Sequence, residues 1–365
     1  MNPDLIVIGA GIVGAAAALA ATQAGLETVI VESAVPGAGV TGAGMGHLVI
    51  LDDALLALSA RSLELWRALP DHAGSEYRNT GTIWVAETAD DLAGLAQQSI
   101  HLEAQNVTSR LLDGASLQAL EPDLARDLPG GLLVPDDAIV YAPKALAYLL
   151  EQARSAGARL LLGRRVTRLT GGGVRFADGT TLTGALLVAT GSQGSELLPE
   201  LPIAPRKGHL VVTERASASI RHQLVEAGYL RTVHEPGQAT VAMNVQPRPE
   251  GQLLVGSSRE SGIQDPGVSP GIVARMLRRV FRFLPTLREH SAIRIWSGFR
   301  PATPDGLPYI GRIPGRGQVW AALGHEGLGI TTATGTAELL VDLMLERRGR
   351  IDPAPFDPAR RMLAP

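Results

Sequence analysis

The sequence predicts an α/β fold with two domains, one on a parallel sheet and the other on a mainly antiparallel sheet. Three observations support this prediction. The chain has 365 residues, a length that suits two domains. Its beginning reads as a strand, a helix and a second strand. Further along the chain, segments rich in strands alternate with segments that resemble this strand–helix–strand unit. Each domain is therefore expected to be discontinuous in sequence.

The first three elements form a βαβ unit. Residues 4–8 are an apolar run rich in branched side chains, which is typical of a parallel strand covered on both faces. The alanine-rich stretch 15–24 has high helix propensity, and Gly25 suits a helix C-terminus. A second apolar strand follows at 28–32.

The turn between the first strand and the helix carries the pattern G-x-G-x-x-G at Gly9, Gly11 and Gly14. In this context the glycines permit a tight turn, close approach of a pyrophosphate and helix–strand packing. Glu32, at the end of the second strand, is placed to accept hydrogen bonds from a ribose, and it disfavours a 2′-phosphate as in NADP. The cofactor-binding residues predicted from this unit are Gly9, Gly11, Ile12, Val13, Gly14, Glu32 and Ser33. An apolar helical hairpin with incidental glycines is the alternative.

The remaining elements follow from apolar periodicity and turn residues. In chain order they are a helix at 52–69, a strand at 81–86, helices at 88–105 and 143–156, strands at 159–162 and 165–169, a hairpin at 174–182, a strand at 185–189, mainly strands at 206–258, a helix at 270–283, a strand around 291–297 and a helix at 327–347. Asp178-Gly179 is typical of a hairpin turn. The predicted first domain is 1–74, 141–205 and 300–365, and the second is 75–140 and 206–299.

Three further features favour FAD over a nicotinamide dinucleotide. A second glycine-rich loop spans 36–46, where side chains would clash with a flat ring and its ribityl chain. An apolar strand ends in a small turn at 187–191, and the glycine-rich segment 324–329 precedes a long helix. A flexible surface loop is the alternative for 36–46.

Composition excludes several classes of site. The chain has no cysteine, which excludes disulfides, thiolate metal sites, iron–sulfur clusters and a flavin attached through a cysteine sulfur. The net charge is −3 without a long like-charge run, so nucleic acid is not an expected partner. No metal-ligand spacing is found, and no metal site is predicted. Glycine accounts for 42 residues of 365, well above the usual share of about 7%.

The apolar run 5–21 near the N-terminus has to be distinguished from a targeting segment. A signal peptide needs a basic region before its apolar core, and the first basic residue of the chain is Arg61. The run also contains three glycines and is slightly short for a bilayer-spanning helix. We therefore expect a cytoplasmic protein without an integral membrane segment.

Nearly from end to end, the sequence resembles the FAD-dependent D-amino acid oxidase and glycine oxidase superfamily. That superfamily includes sarcosine oxidase and the catalytic subunits of opine and hydroxyproline dehydrogenases. The segments that carry the resemblance are 7–14, 43–45, 189–191, 298–311 and 324–329. The most specific is 298–311, which reads Gly-Phe-Arg-Pro-Ala-Thr-Pro-Asp-Gly-Leu-Pro-Tyr-Ile-Gly.

The resemblance implies roles for particular residues. Arg300 matches the arginine that binds the substrate carboxylate in that family, a role suited to a guanidinium fork; a salt bridge to Asp305 is the alternative. Val166 is implied to contact adenine through its backbone, with a plain core valine as the alternative. The other implied cofactor-binding residues are Gly42, Ala43, Gly44, Met45, Thr190, Gly191, Gly324, His325, Glu326, Gly327, Leu328 and Gly329.

Departures from the family pattern bear on the substrate. In glycine oxidases the loop that matches 324–329 has a pattern similar to G-H-x-R-N-G, whereas this chain reads Gly-His-Glu-Gly-Leu-Gly there. The missing arginine puts glycine itself in doubt. The Glu-Gly-Leu-Gly form and the segment 251–259 look more like the catalytic, or β, subunits of opine and D-hydroxyproline dehydrogenases.

The activity implied is oxidation of a C–N bond in a small amino or imino acid, with hydride transfer from the α-carbon to flavin N5. A D-proline-like, hydroxyproline-like or opine substrate is favoured. The alternatives are a glycine, sarcosine or D-amino acid oxidase that uses oxygen, a nicotinamide-dependent dehydrogenase, and a flavin-bearing scaffold subunit without turnover. Heteromeric dehydrogenase subunits are further candidate partners, and the electron acceptor is left open.

Several other side chains are candidates for the site. His47, beside the second glycine loop, is a candidate near the substrate or for a covalent flavin link, with a purely structural role as the alternative. Non-covalent FAD is expected. His325 is a candidate for substrate contact or for packing. The first predicted domain is expected to bind FAD and the second to bind the substrate. His209 and His234 lie near segments of interest, and Tyr229 and Met243, in the second domain, are candidates for lining the pocket.

Overall fold

The structure is a computed structural model, and it describes residues 2–50, 53–70, 72–215, 219–228 and 239–362. Tyr229 and His234 lie outside these residues. Two compact units are formed, the first from Met1–Tyr77, Val140–Pro205 and Phe299–Pro365, the second from Arg78–Ile139 and Arg206–Gly298.

The described part contains helices and strands over most of its length. Its α-helices are α1 (Ile12–Gln23), α2 (Val40–Ala43), α3 (Asp53–Arg67), α4 (His72–Ser75), α5 (Ala89–Ala104), α6 (Gly114–Leu120), α7 (Ala142–Ser155), α8 (Gly194–Leu197), α9 (Pro270–Phe283) and α10 (Gly329–Met344). Its strands are β1 (Leu5–Ile8), β2 (Thr28–Val31), β3 (His47–Leu48), β4 (Thr82–Ala86), β5 (Arg110–Asp113), β6 (Gly130–Val134), β7 (Ala138–Ile139), β8 (Arg159–Leu161), β9 (Val166–Thr170), β10 (Gly173–Phe176), β11 (Thr181–Thr183), β12 (Ala185–Val188), β13 (Ala204–Arg215), β14 (Gln223–Glu226), β15 (Thr240–Pro247), β16 (Gln252–Ser261), β17 (Ala292–Ala302), β18 (Tyr309–Arg312) and β19 (Val319–Leu323).

The first unit is built on a sheet with the strand order β18-β19-β12-β1-β2-β8. Its strands are parallel except for β18. One face packs against the small sheet β9–β11, where Val174 and Phe176 join Ile6 and Ile8 in an apolar cluster. Helix α1 packs against α7 and α10. The predicted hairpin is confirmed, because Val174 pairs with Leu182 on either side of the predicted turn.

The second unit is built on the sheet β17-β13-β16-β15-β14-β4-β6-β5. From β13 to β5 in this order the pairs are antiparallel except for β14 with β4, which run parallel. Alternate residues of the strands, among them Ile83, Leu224 and Val245, form an apolar core with residues of α9. The predicted α/β fold class, with one parallel and one mainly antiparallel sheet, is therefore confirmed.

Candidate active site

The candidate site of the first unit lies at the carboxyl ends of four parallel strands. β1, β2, β12 and β19 run in the same direction, so the segments that follow them emerge at one edge of the sheet. These segments begin at Gly9, Glu32, Ala189 and Gly324. The chain order reverses between β1 and β12, and such a switch point is where open α/β sheets bind their ligands.

The turn after β1 is shaped by close backbone contacts. Gly9 has φ +108°, and a Cβ on it would lie 2.6 Å from the carbonyl oxygen of Ala189. A Cβ on Gly14 would collide with the carbonyl oxygen of Gly9. Both positions therefore require glycine. Gly11 is the N-cap residue of α1 and offers no side-chain hydrogen bond, and the positive end of a helix favours a phosphate.

The Glu32 carboxylate joins the two loops that follow β1 and β2. Its Oε2 accepts a hydrogen bond of 2.9 Å from the Ala10 N–H. Its Oε1 accepts one of 2.9 Å from the Ala34 N–H and one of 3.3 Å from the Ser33 hydroxyl. Glu32 thus stabilises the glycine loop after β1. It also lies at the position that the sequence predicts for ribose binding.

Val166 and Thr190 flank this region from either side. The Arg164 N–H donates a hydrogen bond of 2.9 Å to the Glu32 carbonyl oxygen, which brings the half-buried Val166 near the end of β2. On the other side, Thr190 Oγ1 is buried and has no hydrogen-bond partner among the residues described. Gly191 follows it with φ +59°.

The second glycine loop reaches the start of α1. The Thr41 hydroxyl accepts a hydrogen bond of 3.1 Å from the Ile12 N–H. Thr41 is a residue of the candidate site that sequence reasoning missed, since no local pattern links it to Ile12. Met45 is buried at 7% exposure, Gly42 is exposed, and Ala43 and Gly44 are half-buried.

His47 connects this loop to the segment before α10. Its Nε2 lies 3.0 Å from the Gly327 carbonyl oxygen, and its own carbonyl oxygen accepts a 2.8 Å hydrogen bond from the Thr331 hydroxyl. The structure therefore brings together two glycine-rich segments that are far apart in sequence. His47 has a clear structural role in holding them.

Arg300 lies on β17 and against the same segment. A Cβ on Gly327 would lie 3.6 Å from Arg300 Nε and 3.7 Å from its Cδ. The salt bridge of Asp305 is made with Arg360, at 3.0 Å, and with Arg361, at 3.5 Å. Because Gly327 has no side chain, the Arg300 side chain can lie directly beside the 324–329 segment.

The segment 324–329 leads into α10 through a single turn of 3₁₀ helix at Glu326–Leu328. His325 is buried at 6% exposure, and its Nε2 lies 3.1 Å from the Thr336 hydroxyl. Burial lowers the pKa of the His325 imidazole to about 3, because a charged ring would lose its hydration. His325 is therefore neutral near pH 7, with the Thr336 hydroxyl as a hydrogen-bond partner. Glu326 has φ +46°, a strained value for a residue with a side chain.

Leu328 and Gly329 complete the turn at the start of α10. Leu328 caps this helix without a side-chain hydrogen bond. A Cβ on Gly329 would lie 4.0 Å from the Val13 side chain of α1. Two helix N-termini therefore lie close together in this unit.

These features fit FAD. The glycine cradle and the N-terminus of α1, where Gly11 offers no side-chain cap, suit a pyrophosphate, while Thr190 offers a buried hydroxyl without a partner in the described chain. The uncapped α10 terminus suits the electron-rich edge of a ring. Within the described residues, no group of three or more His, Asp or Glu side chains is arranged to hold a metal ion. No helix in that part of the chain is long and apolar enough to span a bilayer.

Two predicted candidates lie in the second unit. His209 is fully buried; its Nδ1 lies 2.9 Å from the Ser258 hydroxyl, and its Nε2 accepts a hydrogen bond of 3.0 Å from the Ser269 N–H. The prediction that Met243 lines the pocket is wrong, because its side chain lies in the apolar core of this unit. The alternation of β15 turns it toward that core.

Comparison with known proteins places the chain among flavoenzymes. Residues 4–343 match the family model DAO, described as FAD dependent oxidoreductase. A glycine oxidase of Geobacillus kaustophilus is 27% identical, over 98% of this chain and 97% of that protein. A D-amino acid dehydrogenase of Rhizorhabdus wittichii is 31% identical, over 75% of this chain and 66% of that protein.

A solved structure shares the fold over the full length. The crystal structure of glycine oxidase from Geobacillus kaustophilus superimposes with a TM-score of 0.88 at 26% identity, and the match covers 99% of this chain and 100% of that one. The two-sheet architecture described above is thus the architecture of a known flavoprotein fold.

Proposed function

The chain belongs to the DAO family of FAD dependent oxidoreductases, and from this premise we propose that it oxidises the C–N bond of a small amino or imino acid. The observation that carries the proposal is the position of Arg300, which lies against Gly327 beside the glycine-rich segment before α10. A guanidinium there holds a substrate carboxylate through two parallel charge-assisted hydrogen bonds.

The residues that would hold FAD are in the first unit. Gly9, Gly11, Gly14 and the start of α1 would hold the pyrophosphate, and Glu32 the adenosine ribose. The segments 42–45 and 324–329 would hold the ring. FAD, when bound, supplies a two-electron acceptor for the hydride of the substrate α-carbon.

The contribution of the chain itself is orientation and electrostatics. Arg300 fixes the carboxylate and thereby orients the α C–H bond toward the flavin ring. This orientation raises the rate because less entropy is lost on the way to the transition state. The N-terminus of α10 stabilises negative charge that develops beside it. His325 stays neutral and holds Thr336 rather than moving a proton.

The favoured substrate is a D-proline-like or hydroxyproline-like acid or an opine, because 324–329 lacks the arginine of the glycine oxidase pattern. Oxidation of glycine, sarcosine or D-amino acids with oxygen is the second candidate. It is supported by the glycine oxidase that matches 98% of this chain.

Anaerobic reduction of the bound flavin by D-amino acids, sarcosine, proline analogues and opines tests the proposal. We expect at least one compound to bleach the flavin absorbance near ~450 nm. If none of the compounds does so, the proposed function is refuted. Reoxidation by air, compared with an artificial dye, then separates oxidase from dehydrogenase.

The Arg300 clamp has its own test. Two charge-assisted hydrogen bonds contribute about 3–5 kcal/mol, so Arg300→Met should raise KM by about 10²–10⁴-fold. Arg300→Lys keeps the charge but not the fork and should recover only part of that loss. The control is Arg312→Met, on an exposed position of β18. Normal substrate affinity in Arg300→Met would eliminate the clamp.

A further inference from the structure

A tight turn follows Arg300 in the chain and lies against the segment before α10. The turn spans residues 303–307, and it is closed by a 2.9 Å hydrogen bond from the Thr303 hydroxyl to the Leu307 carbonyl oxygen. A Cβ on Gly324 would collide with the Thr303 side chain, so the Thr303 methyl group packs directly on the Gly324 backbone. We call residues 303–307 the clamp turn.

Two contacts join the end of β17 and the clamp turn to the segment before α10. Thr303 packs on Gly324, and a Cβ on Gly327 would lie 3.6 Å from Arg300 Nε. The contacting residues are three positions apart on both segments, in opposite chain directions, so the two segments lie alongside each other between these contacts. A displacement of the clamp turn would therefore displace Arg300 relative to the segment that would hold the flavin ring.

The clamp turn is held by Arg360, which lies in a short 3₁₀ helix at Pro358–Arg361. Arg360 Nε and Nη2 donate hydrogen bonds of 3.0 and 3.2 Å to the two carboxylate oxygens of Asp305. Nη2 also donates a 2.6 Å hydrogen bond to the Leu307 carbonyl oxygen. A single guanidinium thus binds a side chain and a backbone carbonyl of the same turn, which requires the planar fork of arginine.

The pair of Arg360 and Asp305 is largely shielded from water. The two side chains are 15% and 17% exposed, and the guanidinium carbon lies 4.3 Å from the centre of the fully buried Tyr309 ring. Burial would raise the pKa of the Asp305 carboxyl, but hydrogen bonds from Arg360 and from the Leu307 N–H hold it below its ordinary value. The carboxylate is therefore charged near pH 7, and a bidentate pair of this kind is stronger than an exposed one.

We propose that Arg360 is a positioning residue for the Arg300 clamp, because by holding the clamp turn it sets where Arg300 lies beside the segment 324–329. This inference rests on the proposed function, which gives Arg300 a substrate carboxylate to bind. Arg360 itself acts only through Asp305 and Leu307. All of these residues belong to the first unit.

The test is anaerobic stopped-flow reduction of the flavin in the FAD-loaded full chain, with whichever D-amino acid, sarcosine, proline analogue or opine reduces the wild type fastest. The experiment gives the dissociation constant of this compound and the limiting rate of reduction per bound FAD. Arg360→Gln should lower the ratio of rate to dissociation constant by about 10–10²-fold, because misplacing a group by about 1 Å costs up to about 10²-fold. FAD content and the flavin spectrum should stay those of the wild type.

Two further variants control for the loss of a charge. Arg360→Lys keeps the charge without the fork and should restore only part of the ratio. Arg361→Gln is the matched control, since its side chain is 60% exposed and its Nε lies 3.5 Å from Asp305 Oδ2. An exposed pair contributes little, so this variant should stay within about 2-fold of the wild type. An effect of Arg361→Gln as large as that of Arg360→Gln would overturn the inference.

A double-mutant cycle tests whether Arg360 acts through Arg300. In the Arg300→Met background, Arg360→Gln should change the dissociation constant by less than about 2-fold, because the group that it positions is absent. Fully independent effects would overturn the inference. So would unchanged values per bound FAD with only a lower free energy of unfolding, since these indicate a purely structural role. Should Arg360→Gln fail to bind FAD, Asp305→Asn decides by the same ratio.

The proposed function and this inference fail in different ways. If no compound of the panel reduces the wild-type flavin, the proposed function is refuted and the inference with it. If the wild type is reduced and Arg360→Gln is reduced equally well per bound FAD, only the positioning role of Arg360 is refuted.

Discussion

The buried His325 makes a quantitative prediction for the pH dependence of stability. Its pKa is about 3 in the native protein and about 6.5 in an unfolded chain. Between these two values the unfolded state binds a proton that the native state does not bind. Stability therefore falls as the pH falls through this window. At pH 5.5 the unfolded imidazole is about ten-elevenths protonated, which favours unfolding by about 1.4 kcal/mol relative to pH 7.5.

The perturbation is His325→Gln, which keeps a polar side chain of similar size beside Thr336 but removes the titration. Urea unfolding of the wild type and the variant at pH 7.5 and 5.5 gives four free energies. The wild type should lose about 1.4 kcal/mol more than the variant over this interval. Other acidic and basic groups contribute to both proteins and cancel in the difference.

A matched control is Gln97→Asn, at an exposed position of α5, which neither adds nor removes a titratable group. This variant should keep the wild-type pH dependence. Equal losses in the wild type and in His325→Gln would show that His325 is not a buried neutral imidazole. The proposed packing role of His325 would then be refuted.

Two further predictions concern the loops of the first unit. Gly9→Ala should abolish FAD binding, because its Cβ would lie 2.6 Å from the Ala189 carbonyl oxygen; Gly25→Ala, with φ +94° and nothing within 4 Å of its Cβ, should cost only about 1–2 kcal/mol of backbone strain. Flavin absorbance and urea unfolding measure both effects, and equal FAD occupancy in the two variants would contradict the close approach. Thr41→Val should destabilise the protein by about 1 kcal/mol, since it removes the acceptor of the Ile12 N–H. An unchanged urea midpoint would show that this hydrogen bond is dispensable.

Local sequence patterns were sufficient to predict the helices and strands of much of the first unit. The branched apolar run at β1, the glycine turn and the alanine-rich α1 each favour one local conformation, and β2 ends where Glu32 was expected at the sheet edge. The Asp178-Gly179 turn likewise predicted the pairing of β10 with β11. Between 106 and 134, where no regular element was predicted, the structure has β5, α6 and β6. β5 and β6 are short and carry few β-branched residues, so their pairing with each other and with β4 decides their conformation.

The sequence by itself determined the nucleotide-binding turn, the absence of cysteine chemistry and the segments that would surround a flavin, because these depend on residue type and short spacing. Only the tertiary structure joined Thr41 to Ile12, His47 to Gly327, and Arg300 to the segment before α10. It alone joined Arg360 to Asp305 and set Thr303 against Gly324. The physical reason is that a hydrogen bond or a pairing register between distant strands is fixed by the packing of the whole sheet, which no short window of sequence contains.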